Sequence, residues 1–307
     1  MTLVVGLPRD ERATAALHLG GLLARALDED LVVVTVVPPA WPPGVGRIDA
    51  EYQEYLDQEA AEALDAAREA LHGGVAADYV VSRARSAAAG LVEIAQERAA
   101  AMIVLGSSTA GVLGRVAFGS VAERLLHTAP VPVAMAPRGF RAAADTVVEQ
   151  VTVAFGGAAH DTELAVAVAG VAARAGAALR IASFGVRPRT PLTAGVGSHA
   201  EDGIVEEWAH DVERAQQAAL AAVAELPAPP APVSATIGRG RDWASALESI
   251  GWGDTGVLAV GSSSEGPLER VFVGSRSSRI VRHSPVPVIV VPRGSAAALA
   301  AQAAEDR

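Results

Sequence analysis

The sequence predicts an α/β fold made of two tandem doubly wound domains, each a five-stranded, mostly parallel sheet with helices on both faces. Three observations carry that expectation. The chain has 307 residues, enough for about two domains at a rough 150 residues each. Its β-branched apolar runs are continuous rather than alternating, and helix-length segments separate them, as in a parallel sheet covered on both faces. The chain also repeats itself. Val104-Leu105-Gly106-Ser107-Ser108 returns as Ala259-Val260-Gly261-Ser262-Ser263, and the spacing of 155 residues from Gly106 to Gly261 also carries Gly119-Ser120 onto Gly274-Ser275. It carries Pro130-Val131-Pro132-Val133 onto Pro285-Val286-Pro287-Val288 as well. Nearer the start of each copy the spacing is 148, from Leu31 to Leu179, so the second copy holds an insertion in its middle. Such self-similarity marks a duplicated structural unit.

The elements of the first copy follow from the pattern. Residues 3–6 form a short apolar run, and 10–27 have helical spacing. Residues 31–37 are a strand that Pro38-Pro39 stops, and a long Ala/Glu helix fills 49–71. A third strand spans 75–81. Ser86 or a neighbour caps a helix reaching about Arg98, and a fourth strand spans 101–105. A Gly/Ser loop over 106–118 leads to a short helix over 119–127 and a fifth strand over 131–136. The second copy places strands near 151–155, 178–184, 233–237, 257–260 and 286–291. The expected domains are therefore 1–138 and 151–294, with a polar, Ala-rich linker over 139–150 and a low-complexity tail over 295–307.

Composition excludes several classes of function. The net charge of −10 argues against a broad surface for nucleic acid or anionic lipid. The chain has no cysteine, so thiolate metal sites and cysteine nucleophiles are excluded. The seven histidines have no zinc-ligand spacing. The chain has no lysine, hence no Walker loop, and Gly-x-Gly-x-x-Gly after the first strand is missing from both copies. No Ser-His-Asp set or paired catalytic carboxylates can be assembled. The N-terminal apolar run is too short for a signal peptide, and the apolar stretch 164–184 carries Arg174 and Arg180. A cytoplasmic protein without a membrane span is expected.

The informative segment follows the fourth strand of each copy. A strand ends in Gly-Ser-Ser, a loop of small residues follows, and Gly-Ser opens a helix. Backbone N–H groups at a helix N-terminus lack partners, and the helix dipole favours an anion there. Glycines admit close approach, and Ser120 or Ser275 could add a hydroxyl donor. The bland alternative is turn and capping chemistry alone.

These residues resemble the universal stress protein family, whose motif is Gly-x2-Gly-x9-Gly-Ser/Thr followed by a helix and a Pro-x-Pro-Val strand. The sequence has Gly106-x2-Thr109-x9-Gly119-Ser120 and Gly261-x2-Ser264-x9-Gly274-Ser275. The resemblance covers essentially the whole chain as two domains. It implies a five-stranded parallel sheet and ATP binding without rapid turnover, with Gly106, Ser107, Thr109, Gly119 and Ser120 as the first candidate site. Gly261, Ser262, Ser264, Gly274 and Ser275 would form the second. Thr109 and Ser264 replace the family's second glycine; a β-branched Thr fits poorly if φ is positive and well if it is negative. ATP-binding members usually place an aspartate at the end of the first strand, where this chain has Pro8 and Gly156, with Asp10 two residues beyond Pro8.

Other residues keep two readings each. Arg115 and Arg270 are phosphate clamps or solvated loop arginines. Arg85 and Arg241, beside the third helix of each copy, divide the same way. His127 faces Arg282 across the repeat, which favours surface or capping roles, and Trp243 and Trp252 read as packing. The acidic segment 51–69 reads as a solvated helix face.

Two functions lead, ahead of a third, an enzyme of the wider adenine-nucleotide hydrolase-like group. One is a stress-response regulator whose nucleotide occupancy alters its contacts, with at most very slow hydrolysis. The other is an assembly protein that has kept the fold and lost the ligand. In either, the last strands of the two copies should pair antiparallel to satisfy an exposed sheet edge, giving an intramolecular pseudo-dimer. Pro132 and Pro287 should keep that contact short. The intact chain is expected to form a homodimer.

Overall fold

In a computed structural model, residues 2–8, 14–40, 47–71, 75–186, 198–262 and 275–292 are described. The first half runs β1 (Thr2–Gly6), α1 (Thr14–Leu27), β2 (Asp30–Val37), α2 (Arg47–Ala70), β3 (Ala77–Arg83), α3 (Ala87–Glu97), β4 (Met102–Gly106), α4 (Ser120–Thr128) and β5 (Val133–Ala136). The second repeats the order as β6 (Gln150–Ala154), α5 (Ala159–Arg174), β7 (Ala178–Val186), α6 (Ser198–Ala224), β8 (Val233–Gly240), α7 (Trp243–Glu248), β9 (Gly256–Gly261), α8 (Ser275–His283) and β10 (Val288–Val291).

The strands build one ten-stranded sheet in the order β3-β2-β1-β4-β5-β10-β9-β6-β7-β8. Every neighbouring pair is parallel except the junction of β5 with β10, which is antiparallel. There Val288, Ile289 and Val290 face Met135, Ala134 and Val133. The expected pairing of last strands is thus present, and it is short. Pro132 and Pro287 stand just outside it and contribute only acceptors, to Ile103 N and Leu258 N.

Strand alternation explains the continuous apolar runs. In β4, Met102 and Val104 enter one core while Ile103 and Leu105 enter the other. In β10, Ile289 and Val291 divide from Val288 and Val290 in the same way. The first core lies under α1, α2, α5 and α6, and the second under α3, α4, α7 and α8. Each core contains residues of both halves, so the junction is packed on both faces.

Local chemistry sets the helix starts. Ser86 accepts from Ala89 N at 3.2 Å and caps α3. Asp242 accepts from Ser245 N at 2.8 Å, and the Ser245 hydroxyl accepts from Asp242 N at 3.2 Å, a reciprocal box that opens α7. Strand β3 begins at Ala77 and reaches Arg83, two residues later than the sequence pattern suggests, because its ladder with β2 extends from Leu31 to Val37. The segment expected to be a tether, 139–150, is anchored where it follows β5. His18 Nδ1 lies 3.0 Å from Ala142 O, Arg25 Nη2 donates to Ala143 O at 3.1 Å, and Phe140 packs on the first core. The tail over 295–307 lies outside the described residues.

Candidate functional site

Open α/β sheets place ligands beyond the carboxyl ends of strands where the strand order reverses. Here the reversals lie between β1 and β4 and between β6 and β9. The first is bounded by Leu7 and Pro8 on one side and by Gly106 and the loop 107–119 on the other.

That loop is stitched to itself and to β5. Ser108 N donates to Ala117 O at 3.0 Å, and Gly111 N to Ser108 O at 3.1 Å. A Cβ on Gly111 would lie 2.3 Å from the Ala117 Cβ, so glycine is required by close approach. Arg138 ties the loop to the end of β5: its N donates to Arg115 O and its Nη1 to Gly111 O at 2.6 Å. Ser107 corrects the sequence reading. Its hydroxyl donates to Ala136 O at 2.6 Å and accepts from Ala117 N at 3.0 Å, so it holds the loop shut rather than presenting a donor to the crevice.

Gly119 and Ser120 stand where the motif places them. Gly119 is the N-cap of α4, with φ −102 and ψ 172, and supplies no side-chain cap, which leaves the N–H groups of the first helical turn uncapped. A Cβ at this position would meet the Ser108 Cβ at 3.6 Å, ordinary contact distance, so the loop start and the helix start face each other across a small gap. Glu123 is the acidic residue of that turn and is exposed. Thr109 keeps negative φ: among the described non-glycine residues only Asp28 and Ala99 have positive φ. The β-branched replacement therefore costs no backbone strain. Pro8 ends the first strand region and is exposed, and Asp10 lies outside the described residues.

Arg115 takes neither of the roles open to it. Its Nη1 donates to His283 O at 3.0 Å, and its Nη2 pairs with the Glu248 carboxylate, both in the second half. Beside it the Arg282 guanidinium lies 5.1 Å from the Phe118 ring centre. The first loop is thereby bound to α7 and α8 of the opposite half.

In the second half, Ser264, Gly274 and the loop between them, with Arg270, lie outside the described residues. Gly261 ends β9 and its carbonyl accepts from Ser277 Oγ at 3.3 Å. Ser262 is buried, with its N donating to Val291 O at 2.9 Å, and Ser275 opens α8. Two residues that sequence reasoning passed over come to this crevice. Asp161, in the first turn of α5, accepts from Gly156 N at 3.0 Å and Ala158 N at 2.9 Å. It brings a carboxylate to the end of the first strand of this half from five residues away. Arg276 follows Ser275, and its Nη2 donates to Phe184 O at 2.9 Å. The signals were an aspartate three residues into a helix and an arginine directly after Gly-Ser; neither is distinctive without the sheet order. Arg85 and Arg241 are exposed. Trp243 and Trp252 pack on the second core at either side of α7, as expected.

A family model described as the universal stress protein family matches residues 1–137 and again 148–292. The chain belongs to the universal stress protein family. A universal stress protein of Mycobacterium tuberculosis is 37% identical over 297 residues, which cover 95% of this chain and all of that protein. Among solved structures, a universal stress protein from Archaeoglobus fulgidus shares 18% identity at a TM-score of 0.56, covering 95% of this chain and 98% of that one. A protein of unknown function from Pseudomonas aeruginosa shares 14% identity at a TM-score of 0.56, with 99% and 97% covered. Both likenesses extend over the two-domain architecture. Among the described residues no helix of this tandem universal stress protein is long and apolar enough to cross a membrane, and none of its His, Asp and Glu residues cluster as a metal site.

Proposed function

We propose that this universal stress protein is a nucleotide-responsive binding module of the stress response, taking ATP in the first half with its phosphates at Gly106–Thr109 and at Gly119-Ser120. The observation that carries this reading is the uncapped α4 N-terminus facing the start of the loop across the gap at Gly119. Free N–H groups, a helix dipole and room for oxygen atoms are what a phosphate needs. The module holds the nucleotide without turning it over, or hydrolyses it only very slowly. In the first half proline occupies position 8, where ATP-binding members usually carry an aspartate, so affinity should come from the phosphates: ATP binds distinctly better than adenosine, and ATP and GTP differ little.

Calorimetry with adenosine, ATP and GTP tests this on the wild type and on Gly119→Val. Gly119 has extended backbone that any residue adopts, so valine fills the gap without unfolding the loop, and ATP affinity falls at least tenfold. Equal affinity for adenosine and ATP, or indifference to the valine, sinks the reading in favour of an assembly protein that lost its ligand. The homodimer belongs to the same proposal. It must use a face other than β5 and β10, which are already paired inside the sheet. Light scattering that returns the mass of one chain at micromolar concentration removes the dimer.

A further inference from the structure

The two crevices are built from the same repeat but are lined differently. In the second half the strand order places β6 between β9 and β7. Arg276 sits in the first turn of α8, the helix after β9, yet its guanidinium donates to Phe184 O near the end of β7. In the sheet order β6 stands between these two strands, and the crevice lies at its carboxyl end. Its guanidinium also stands 6.0 Å from the ring centre of Trp243, the first residue of α7. The charge of Asp161, from the first turn of α5, acts on it too. The residue as a whole is exposed, yet lost hydration around its guanidinium pushes its pKa below the ordinary arginine value while Asp161 pulls it up. Elements β7 and α7 therefore contact one cation from α8, and the Asp161 charge favours it there. A second ring narrows the same end: Trp208 of α6 lies so near β7 that a Cβ on Gly185 would come within 2.7 Å of it.

At two corresponding positions the first half carries other side chains. Val121 stands in the repeat position of Arg276, in the first turn of α4, and Ala87 opens α3 where Trp243 opens α7. Valine offers neither a donor to a strand-end carbonyl nor the length to reach one. Resting on the reading above, we infer that Arg276 closes the second crevice to nucleotide, so that the chain holds one ATP, in its first half. The strand-end carbonyl and the Trp243 face are then already occupied by a resident guanidinium whose charged form the Asp161 charge favours, and a nucleotide would have to displace it from both.

Equilibrium dialysis with radiolabelled ATP counts sites on the full chain. One ATP per wild-type chain is expected, with saturable binding lost in Gly119→Val and two ATP per chain in Arg276→Val. Arg276→Gln, which keeps a donor but loses the charge, serves as a second variant if valine disturbs α8, and melting temperatures check that each variant is folded. Two ATP on the wild type overturns the inference while leaving the proposed function standing. A count that stays at one in both folded Arg276 variants does so too, whereas a single ATP that survives Gly119→Val overturns the inference and the proposed function together. No ATP on the wild type defeats the proposed function instead. In that event binding gained by Arg276→Val upholds the closure, and binding absent from both variants overturns it as well.

Discussion

Ser107 shows how a motif residue is diverted once the chain folds. Its hydroxyl both donates to Ala136 O and accepts from Ala117 N, linking the end of β4, the return arm of the loop and the end of β5. Removing it leaves a half-buried N–H and a strand-end carbonyl without their partner, which costs about 1–3 kcal/mol. Ser107→Ala should therefore lower stability by that amount in urea denaturation while the m-value is unchanged. A loss below about 0.3 kcal/mol, the size of an ordinary surface change, would return the hydroxyl to the crevice. Ser107 and Ser120 are indistinguishable in the motif, since both are serines beside glycine. Only the antiparallel return of the loop selects Ser107 for internal bonding.

At the scale of elements, the loop 107–119 belongs to one half by sequence and to both by contact. Arg115 reaches the carbonyl at the end of α8 and the Glu248 carboxylate at the end of α7, and Arg282 leans on Phe118. The pair with Glu248 is partly exposed and contributes little by itself; the bond to His283 O, with a charged donor, carries more. Arg115→Ala should cost about 1 kcal/mol. Its more telling effect is local: amide exchange within 107–119 speeds up while β4 and β5 stay protected. Unchanged exchange in the loop would mean that Arg138 and the Ser108–Ala117 bonds hold it without help. This clamp was not legible in the sequence. Its partners lie 133 and 168 residues away, and the repeat pattern gives Arg115 an equivalent, Arg270, without saying what either touches. The strands and helices themselves were legible, because a strand buried on both faces needs a continuous apolar run and a helix needs its cap and stop within a few residues.

For the whole molecule, the junction of β5 and β10 decides the behaviour on unfolding. Three facing residue pairs form a short ladder, but the cores above and below it are shared. Val104 and Ala134 of the first half lie in one cluster with Val153 and Ile289 of the second, and Leu125 shares the other with Val281 and Val288. Separating the halves would expose apolar surface on both faces at about 25 cal/mol per Å², so neither half gains by unfolding late. Calorimetry should give one transition, with the measured and van't Hoff enthalpies equal. Two resolved transitions would show that the halves are thermodynamically independent and joined only by a tether.

The duplication, the α/β class, the order of strands and helices and the Gly/Ser segment after the fourth strand were legible in the chain, since these rest on local periodicity and on a repeat compared with itself. The sequence also implied that the last strands would pair, because an unpaired edge carries unsatisfied backbone groups. The tertiary structure alone decided what each polar side chain is used for. Ser107 closes a loop, Arg115 crosses to the other half, Asp161 comes to a strand end from the next helix, and Arg276 spans a crevice where its repeat partner is Val121. A hydrogen bond is satisfied by whichever group is near in space. In a parallel sheet, where neighbouring strands are separated by whole helices, nearness in space cannot be read from nearness along the chain.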